Sequence, residues 1–165
     1  MSSSTPETLT AAVLTVSDSS SRGERDDLSG PAVAQVLKQH NFSVVATEIV
    51  PDEQPAIQQA ILRLTKAARF VVTTGGTGIT KRDVTPEATR TVCDRLLEGV
   101  AERMRSEGAK TTPFAALSRA VCGTCGKSLV LNLPGSPRGS VEALQAVIDL
   151  VPHALELLDG HTKHE

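Results

Sequence analysis

Gly75-Gly76-Thr77-Gly78 is the segment of this chain with the plainest chemical use. Glycines let backbone approach a ligand without a Cβ in the way, and successive N–H groups can converge on an anion. The loop lacks the Lys of a P-loop and the spacing of a dinucleotide fingerprint, so taken alone a tight turn explains it as well or better. The next segment adds weight. Lys81-Arg82-Asp83-Val84-Thr85-Pro86-Glu87 brings two cations, two carboxylates and a capping hydroxyl to one helix start. Capping and the helix dipole account for Thr85 as N-cap and for Glu87 in the first turn. Asp83 stands before that cap, beside the glycines. A carboxylate facing a bound polyphosphate makes sense there when Mg²⁺ intervenes, because the bare charges repel.

Asp52 also follows a strand directly, where a helix N-cap is the simplest role and a functional one stays open. Asp18 ends another strand, and Ser29 and Gly30 open a helix; the charged stretch between them reads as solvated surface. Pro134-Gly135-Ser136-Pro137 is rigid and exposes backbone, which suits a pocket wall and also suits a strand-to-helix turn. Cys122-Gly123-Thr124-Cys125 has zinc-knuckle spacing, but a closed site needs four ligands and only Cys93 remains, with the four His scattered. The two histidines of 161–165 read as part of a frayed end.

These residues need a scaffold, and the hydrophobic pattern supplies one. Ala11–Ser17, Phe42–Val50, Arg69–Thr74 and Ser128–Leu133 read as strands, the first and third as continuous apolar runs of the kind covered on both faces. Helices are expected from Ser29-Gly30-Pro31 to His40, from Asp52 to Ala68 and from Thr85-Pro86 onward. A further stretch, Gly99–Leu117, is interrupted at Gly108 and Pro113. A last helix starts near Ser140, and Pro152 kinks or splits it. Strands alternating with helices predict an α/β fold: three layers, a mostly parallel sheet with helices on both faces. In such sheets ligands bind beyond the carboxyl ends of the strands, and each chemistry-bearing segment above falls there.

Length and composition bound the function. The 165 residues fit a single domain over 9–160, with a loose polar arm at 1–8 and a short tail at 161–165. The balance of 17 basic and 19 acidic residues, net −2, disfavours nucleic acid and anionic membrane as partners. With 2% aromatic residues, the stacking platforms of single-strand binders are unavailable. The apolar run Ala11–Val16 is too short for a signal sequence or a membrane span, and three cysteines fit a reducing compartment, so a cytoplasmic location is expected.

Taken in order, LTVSD (Leu14–Asp18), DLSG (Asp27–Gly30), VPDE (Val50–Glu53), TTGGTG (Thr73–Gly78), RDVTPEAT (Arg82–Thr89), TPFAALSR (Thr112–Arg119) and LNLPGSP (Leu131–Pro137) closely resemble the molybdopterin adenylyltransferase family, which includes the G domains of gephyrin and its plant counterpart. The likeness spans Ala11–Gly160 and implies adenylyl transfer from Mg-ATP to the terminal phosphate of molybdopterin, with release of pyrophosphate, by a homotrimer. It implies ATP phosphates against Gly75, Gly76, Thr77 and Gly78, and Asp52 and Asp83 as the acidic residues tied to Mg²⁺ and catalysis. Ser17, Asp18, Ser29 and Gly30 would line the nucleotide side; Arg119 and Pro134-Gly135-Ser136-Pro137 would border the pterin and phosphate pocket. Thr85 and Glu87 join the candidate binding residues, and the cysteines inherit no role. In-line transfer needs positioning and charge neutralisation, so no protein nucleophile is required. The alternatives are a non-catalytic molybdopterin carrier or scaffold of the same fold, and a nucleotide-cleaving pyrophosphatase; a molybdenum insertase is a possible downstream partner.

Overall fold

The computed structural model describes residues 8–161. The arm expected at 1–8 and the tail expected at 161–165 lie, but for Thr8 and His161, outside the described residues.

β1 (Leu9–Val16) opens a sheet completed by β2 (Phe42–Val50), β3 (Phe70–Thr74), β4 (Arg95–Leu96), β5 (Cys122–Cys125) and β6 (Ser128–Leu133), in the order β2-β1-β3-β6-β5-β4. The first four strands in that order are parallel, while β5 runs antiparallel to both β6 and β4. Alternating side chains feed two cores. Ala11, Val13, Phe70, Val72, Leu129 and Leu131 face one; Ala12, Leu14, Val71 and Val130 face the other.

A single turn, α1 (Asp18–Ser21), follows β1; over the first core lie α2 (Ser29–Gln39), α5 (Glu98–Ala109), α6 (Pro137–Val147) and α7 (Val151–Leu158), and over the second lies α3 (Gln54–Ala67), with α4 (Thr85–Val92) beside it. Leu37, Leu144 and Leu155 are fully buried on one side, and Ile57 and Ile61 on the other. Each such side chain contributes roughly 1.5–3 kcal/mol when taken from water. The expected three-layer α/β architecture is what the chain forms. β2 is an outer strand, and its pairing with β1 slips by one residue between Ala11 and Ala12, leaving Val45 without a partner.

Several local expectations shift. α6 begins at Pro137 rather than near Ser140, because the Ser136 hydroxyl accepts the Gly139 N–H at 3.0 Å and Pro137 takes the first helical position. The last helix is split just before Pro152 by a 3₁₀ turn, Ile148–Leu150, where proline lacks the N–H that an unbroken helix would use. Helix α5 runs through Gly108, and the break falls between Ala109 and the 3₁₀ turn Pro113–Leu117.

The β4–β5 hairpin was not anticipated from sequence. It also accounts for the cysteine pair: residues three apart on a strand point to opposite faces, so Cys122 packs into one core and Cys125 lies against the other. All three cysteines are free thiols, and burial pushes Cys93 and Cys122 up to about 12. Half-buried Cys125 is therefore expected to be alkylated first by iodoacetamide in the native protein at neutral pH, with Cys122 the slowest and no zinc bound in stoichiometric amount. Mass spectrometry of timed reactions and metal analysis check both.

Candidate active site

At the carboxyl ends of β1, β3 and β6 the backbone is packed too closely for side chains. Gly75 and Gly76 have φ of +91° and +70°. A Cβ on Gly75 would lie 2.3 Å from the Val16 carbonyl oxygen, and one on Gly76 would lie 2.2 Å from the Thr85 hydroxyl. Both positions require glycine, for conformation and for space. Gly135 rests on Gly75, with its absent Cβ 3.3 Å from the Gly75 Cα, so the Pro134–Pro137 turn and the glycine loop form one wall.

Thr85 does not cap α4. Val84 holds the cap position, while the fully buried Thr85 donates its hydroxyl to the Gly75 carbonyl at 3.0 Å. Its place is beneath the loop, which it anchors. Asp52 is not a helix cap either: Glu53 occupies that position without a side-chain bond, and the Asp52 carboxylate turns the other way. Asp52 and Asp18 exchange hydrogen bonds, each backbone N–H donating to the other's carboxylate at 2.9 Å.

Burial pushes the Asp52 carboxyl above its ordinary value, and the negative charges of Asp18 and Asp83 act in the same direction. Asp18 moves oppositely: the Arg82 guanidinium and the Asp52 N–H hold it below the usual carboxylate range. Asp83 folds back on its own loop, accepting from the Thr80 N–H at 3.0 Å and the Thr80 hydroxyl at 2.7 Å, beside Gly78.

Two clefts flank this wall. One, of about 390 Å³, is lined by Ser17, Asp27, Ser29, Thr74, Gly75 and the Gly135–Pro137 turn. The other, of about 770 Å³, is lined by Thr77, Gly78, Asp83, Arg105, Phe114 and Pro134, and Ser136 borders both. Ile79, Phe114 and Leu117 are exposed around the larger cleft.

Most of the sequence candidates thus converge, though not all line a cleft. Gly30 is packed against Asp27 and Thr15. Arg119 spans the back of the loop, donating to the Gly78 carbonyl at 2.7 Å and the Asp83 carbonyl at 2.8 Å and pairing with Glu87. Burial works to raise the Glu87 carboxyl, but the Arg119 hydrogen bond, a backbone N–H and the positive charges of Arg119 and Arg90 together leave Glu87 below its ordinary value. Arg119 and Glu87 therefore brace the segment that carries Gly78 and Asp83.

Asp27 and Arg82 escaped notice as site residues. Asp27 accepts from the Thr15 hydroxyl at 2.7 Å and the Gly30 N–H at 3.0 Å, joining the start of α2 to β1. An Asp two residues before Ser-Gly-Pro at a helix start was the available signal. Arg82 grips Asp18 with two nitrogens across 64 residues of chain, which no local pattern reveals.

Among the described residues no three acidic, His or Cys side chains form a metal cage. Magnesium does not need one: it takes one or two carboxylates and fills its remaining positions with water and phosphate oxygens. Asp52, half-buried and crowded by two other negative charges, is a carboxylate that a nearby cation would favour in its ionised form. Together with Asp83 it fits such a site.

Residues 12–153 match the family described as a probable molybdopterin binding domain. A molybdopterin adenylyltransferase of Helicobacter pylori is 40% identical over 94% of this chain and 90% of its own length. The Drosophila melanogaster molybdenum cofactor synthesis protein cinnamon is 40% identical over 92% of this chain, which corresponds to 26% of that longer protein. Among solved structures, the molybdopterin biosynthesis enzyme MoaB from Thermus thermophilus superposes with a TM-score of 0.85 at 49% identity, covering 92% of this chain and 97% of that one. With matches of this extent on a site of this geometry, the chain belongs to the molybdopterin-binding domain family of molybdenum cofactor biosynthesis.

Proposed function

We propose that this protein is a molybdopterin adenylyltransferase that uses Mg-ATP. The observation that carries the reading is the pair of clefts meeting at one glycine wall, with Asp52 and Asp83 beside it: two ligands can be held with their phosphates converging where backbone amides are free of side chains. The nucleotide occupies the cleft of Ser17 and Ser29, and the pterin the larger one.

An oxygen of the molybdopterin phosphate bonds to the α-phosphorus of ATP while the bond from that phosphorus to the bridging oxygen breaks. Pyrophosphate leaves with the electron pair, and no proton has to be supplied. The protein's part is to align the attacking and leaving oxygens and to exclude competing water. Gly76–Gly78 offers amides to the phosphates, the Gly75 N–H being held by the Leu133 carbonyl, and Arg119 with Glu87 keeps that segment fixed. Asp52 and Asp83 would hold magnesium, which supplies positive charge to the phosphoryl oxygens.

Purified protein given ATP, Mg²⁺ and molybdopterin is expected to yield adenylylated pterin and pyrophosphate in equal amounts. Pterin binding without turnover would indicate a carrier, and AMP released without pterin would indicate a pyrophosphatase.

The same resemblance supports a cytoplasmic homotrimer that hands its product to a molybdenum insertase. No helix among the described residues is long and apolar enough to cross a membrane. Light scattering at micromolar concentration is expected to give three times the chain mass of 17.4 kDa; a stable monomer would contradict it.

A further inference from the structure

Arg82 is committed to a carboxylate in a place where a phosphate would suit it equally well. Its Nε donates to Asp18 Oδ2 at 3.0 Å and its Nη2 to Asp18 Oδ1 at 2.9 Å. The Arg82 side chain is 59% exposed, and the pair lies at the surface. Asp18 Oδ1 also accepts the Asp52 N–H, so the guanidinium sits one residue's reach from the Asp52 carboxylate, beside Gly76.

We infer that Arg82 is a positioning residue that changes partners: it covers Asp18 in the free protein and passes to the nucleotide's phosphates in the loaded one. This deepens the adenylyl-transfer reading and rests on it.

Three physical points carry the exchange. A guanidinium fork matches phosphate oxygens as well as carboxylate oxygens, with two parallel hydrogen bonds. A half-exposed ion pair is screened by water and is worth little, so it does not resist exchange. The charge balance also requires a cation. Asp18, Asp52 and Asp83 together repel a polyphosphate, and the pairing with Arg82 is what offsets Asp18 in the free protein.

When Arg82 moves across, it brings positive charge to the phosphates. Asp18 is then left with its Asp52 N–H bond and an uncovered negative charge beside the divalent site. One side chain thereby screens the acidic residues before binding and neutralises the ligand after it. Arg82 ends an exposed stretch, Ile79–Arg82, so its side chain is free to turn.

The inference makes two binding effects of opposite sign. Wild type, Arg82→Gln and Arg82→Lys would be compared for calorimetric binding of a non-hydrolysable ATP analogue with Mg²⁺, and for binding of Mn²⁺ alone by electron paramagnetic resonance. Arg82→Gln is expected to weaken the nucleotide about tenfold or more, the scale of a lost charge-assisted bond. The same variant is expected to bind Mn²⁺ up to about fivefold more tightly, because Asp18 is uncovered. Arg82→Lys should lie between on nucleotide, since it keeps the charge and loses the fork.

A latch that merely held Asp18 and Asp52 in place would weaken both ligands together on Arg82→Gln. That result, or unchanged nucleotide affinity in Arg82→Gln, would overturn the inference while leaving the adenylyl-transfer reading intact. Failure of the wild type itself to bind the Mg-nucleotide would overturn that reading, and the inference with it.

Discussion

Asp52→Asn is expected to slow adenylyl transfer by about 10²-fold or more, the scale of a lost metal contact that neutralises transition-state charge. The folded protein is expected to be no less stable. Asn keeps an oxygen to accept the Asp18 N–H, so the exchange of backbone bonds between the two strand ends survives. Burial raises the Asp52 carboxyl in the folded state. The stabilisation such a shift contributes is full only below the unfolded value, about 3.9, and is lost as pH rises through the folded value. At neutral pH the wild type therefore carries an ionised, crowded carboxylate that the variant lacks.

Melting curves in EDTA should accordingly place Asp52→Asn at or above the wild type at pH 7, with the difference shrinking as pH falls towards about 4 and gone below it. Near-normal turnover at saturating Mg-ATP would remove Asp52 from catalysis. A large drop in melting temperature would make it a structural residue instead. Asp83→Asn is expected to lose a similar factor in rate, with the Thr80 hydrogen bonds retained by the amide oxygen.

The second large effect is on stability. Asn132 is fully buried on β6; its amide donates to the Thr73 hydroxyl at 3.0 Å and the Thr89 hydroxyl at 2.9 Å, and its oxygen accepts the Val121 N–H at 3.1 Å. One side chain ties β3, α4 and the approach to β5 to β6, a few residues before both loops of the candidate site. Asn132→Leu keeps the approximate volume but leaves a buried N–H and the Thr73 hydroxyl without their partner. The cost of such orphaned groups is about 3 kcal/mol, which for a chain of this size lowers the melting temperature by about 6–12 °C. Asn132→Ser, able to restore part of the network, should recover some of it. A leucine variant that melts with the wild type would show that the network contributes little.

Much of the scaffold is legible from local pattern. Phe42–Val50 and Ser128–Leu133 carry residue compositions that hold up in isolation, and both strands have the bounds read from sequence. Cys122–Cys125 does not: with a glycine and two cysteines in four residues it becomes a strand only through its partners on either side, β6 and β4. Its chemistry therefore stood out in the sequence before its structure could.

The site divides in the same way. The glycine loop and Asp83 announce themselves because their cause is local. The Asp18–Asp52 exchange spans 34 residues and the Arg82–Asp18 pair 64, and neither leaves a spacing to read. Thr85 and Asp52 had the right residue types for helix caps. They were taken instead by contacts from other segments, which local reasoning does not see.

Arg69 closes the end of the sheet away from the clefts. Its backbone N–H donates to the Thr10 hydroxyl at the start of β1, and its guanidinium reaches the Lys127 and Leu155 carbonyls and Asp159. The first and last described elements are thereby gathered at one pole, with the clefts at the other. Polypeptide appended before β1 or after α7 would leave the pocket mouths unobstructed. The fold is in effect a cartridge with its attachment points behind it, ready for fusion to other modules without redesign of its working face.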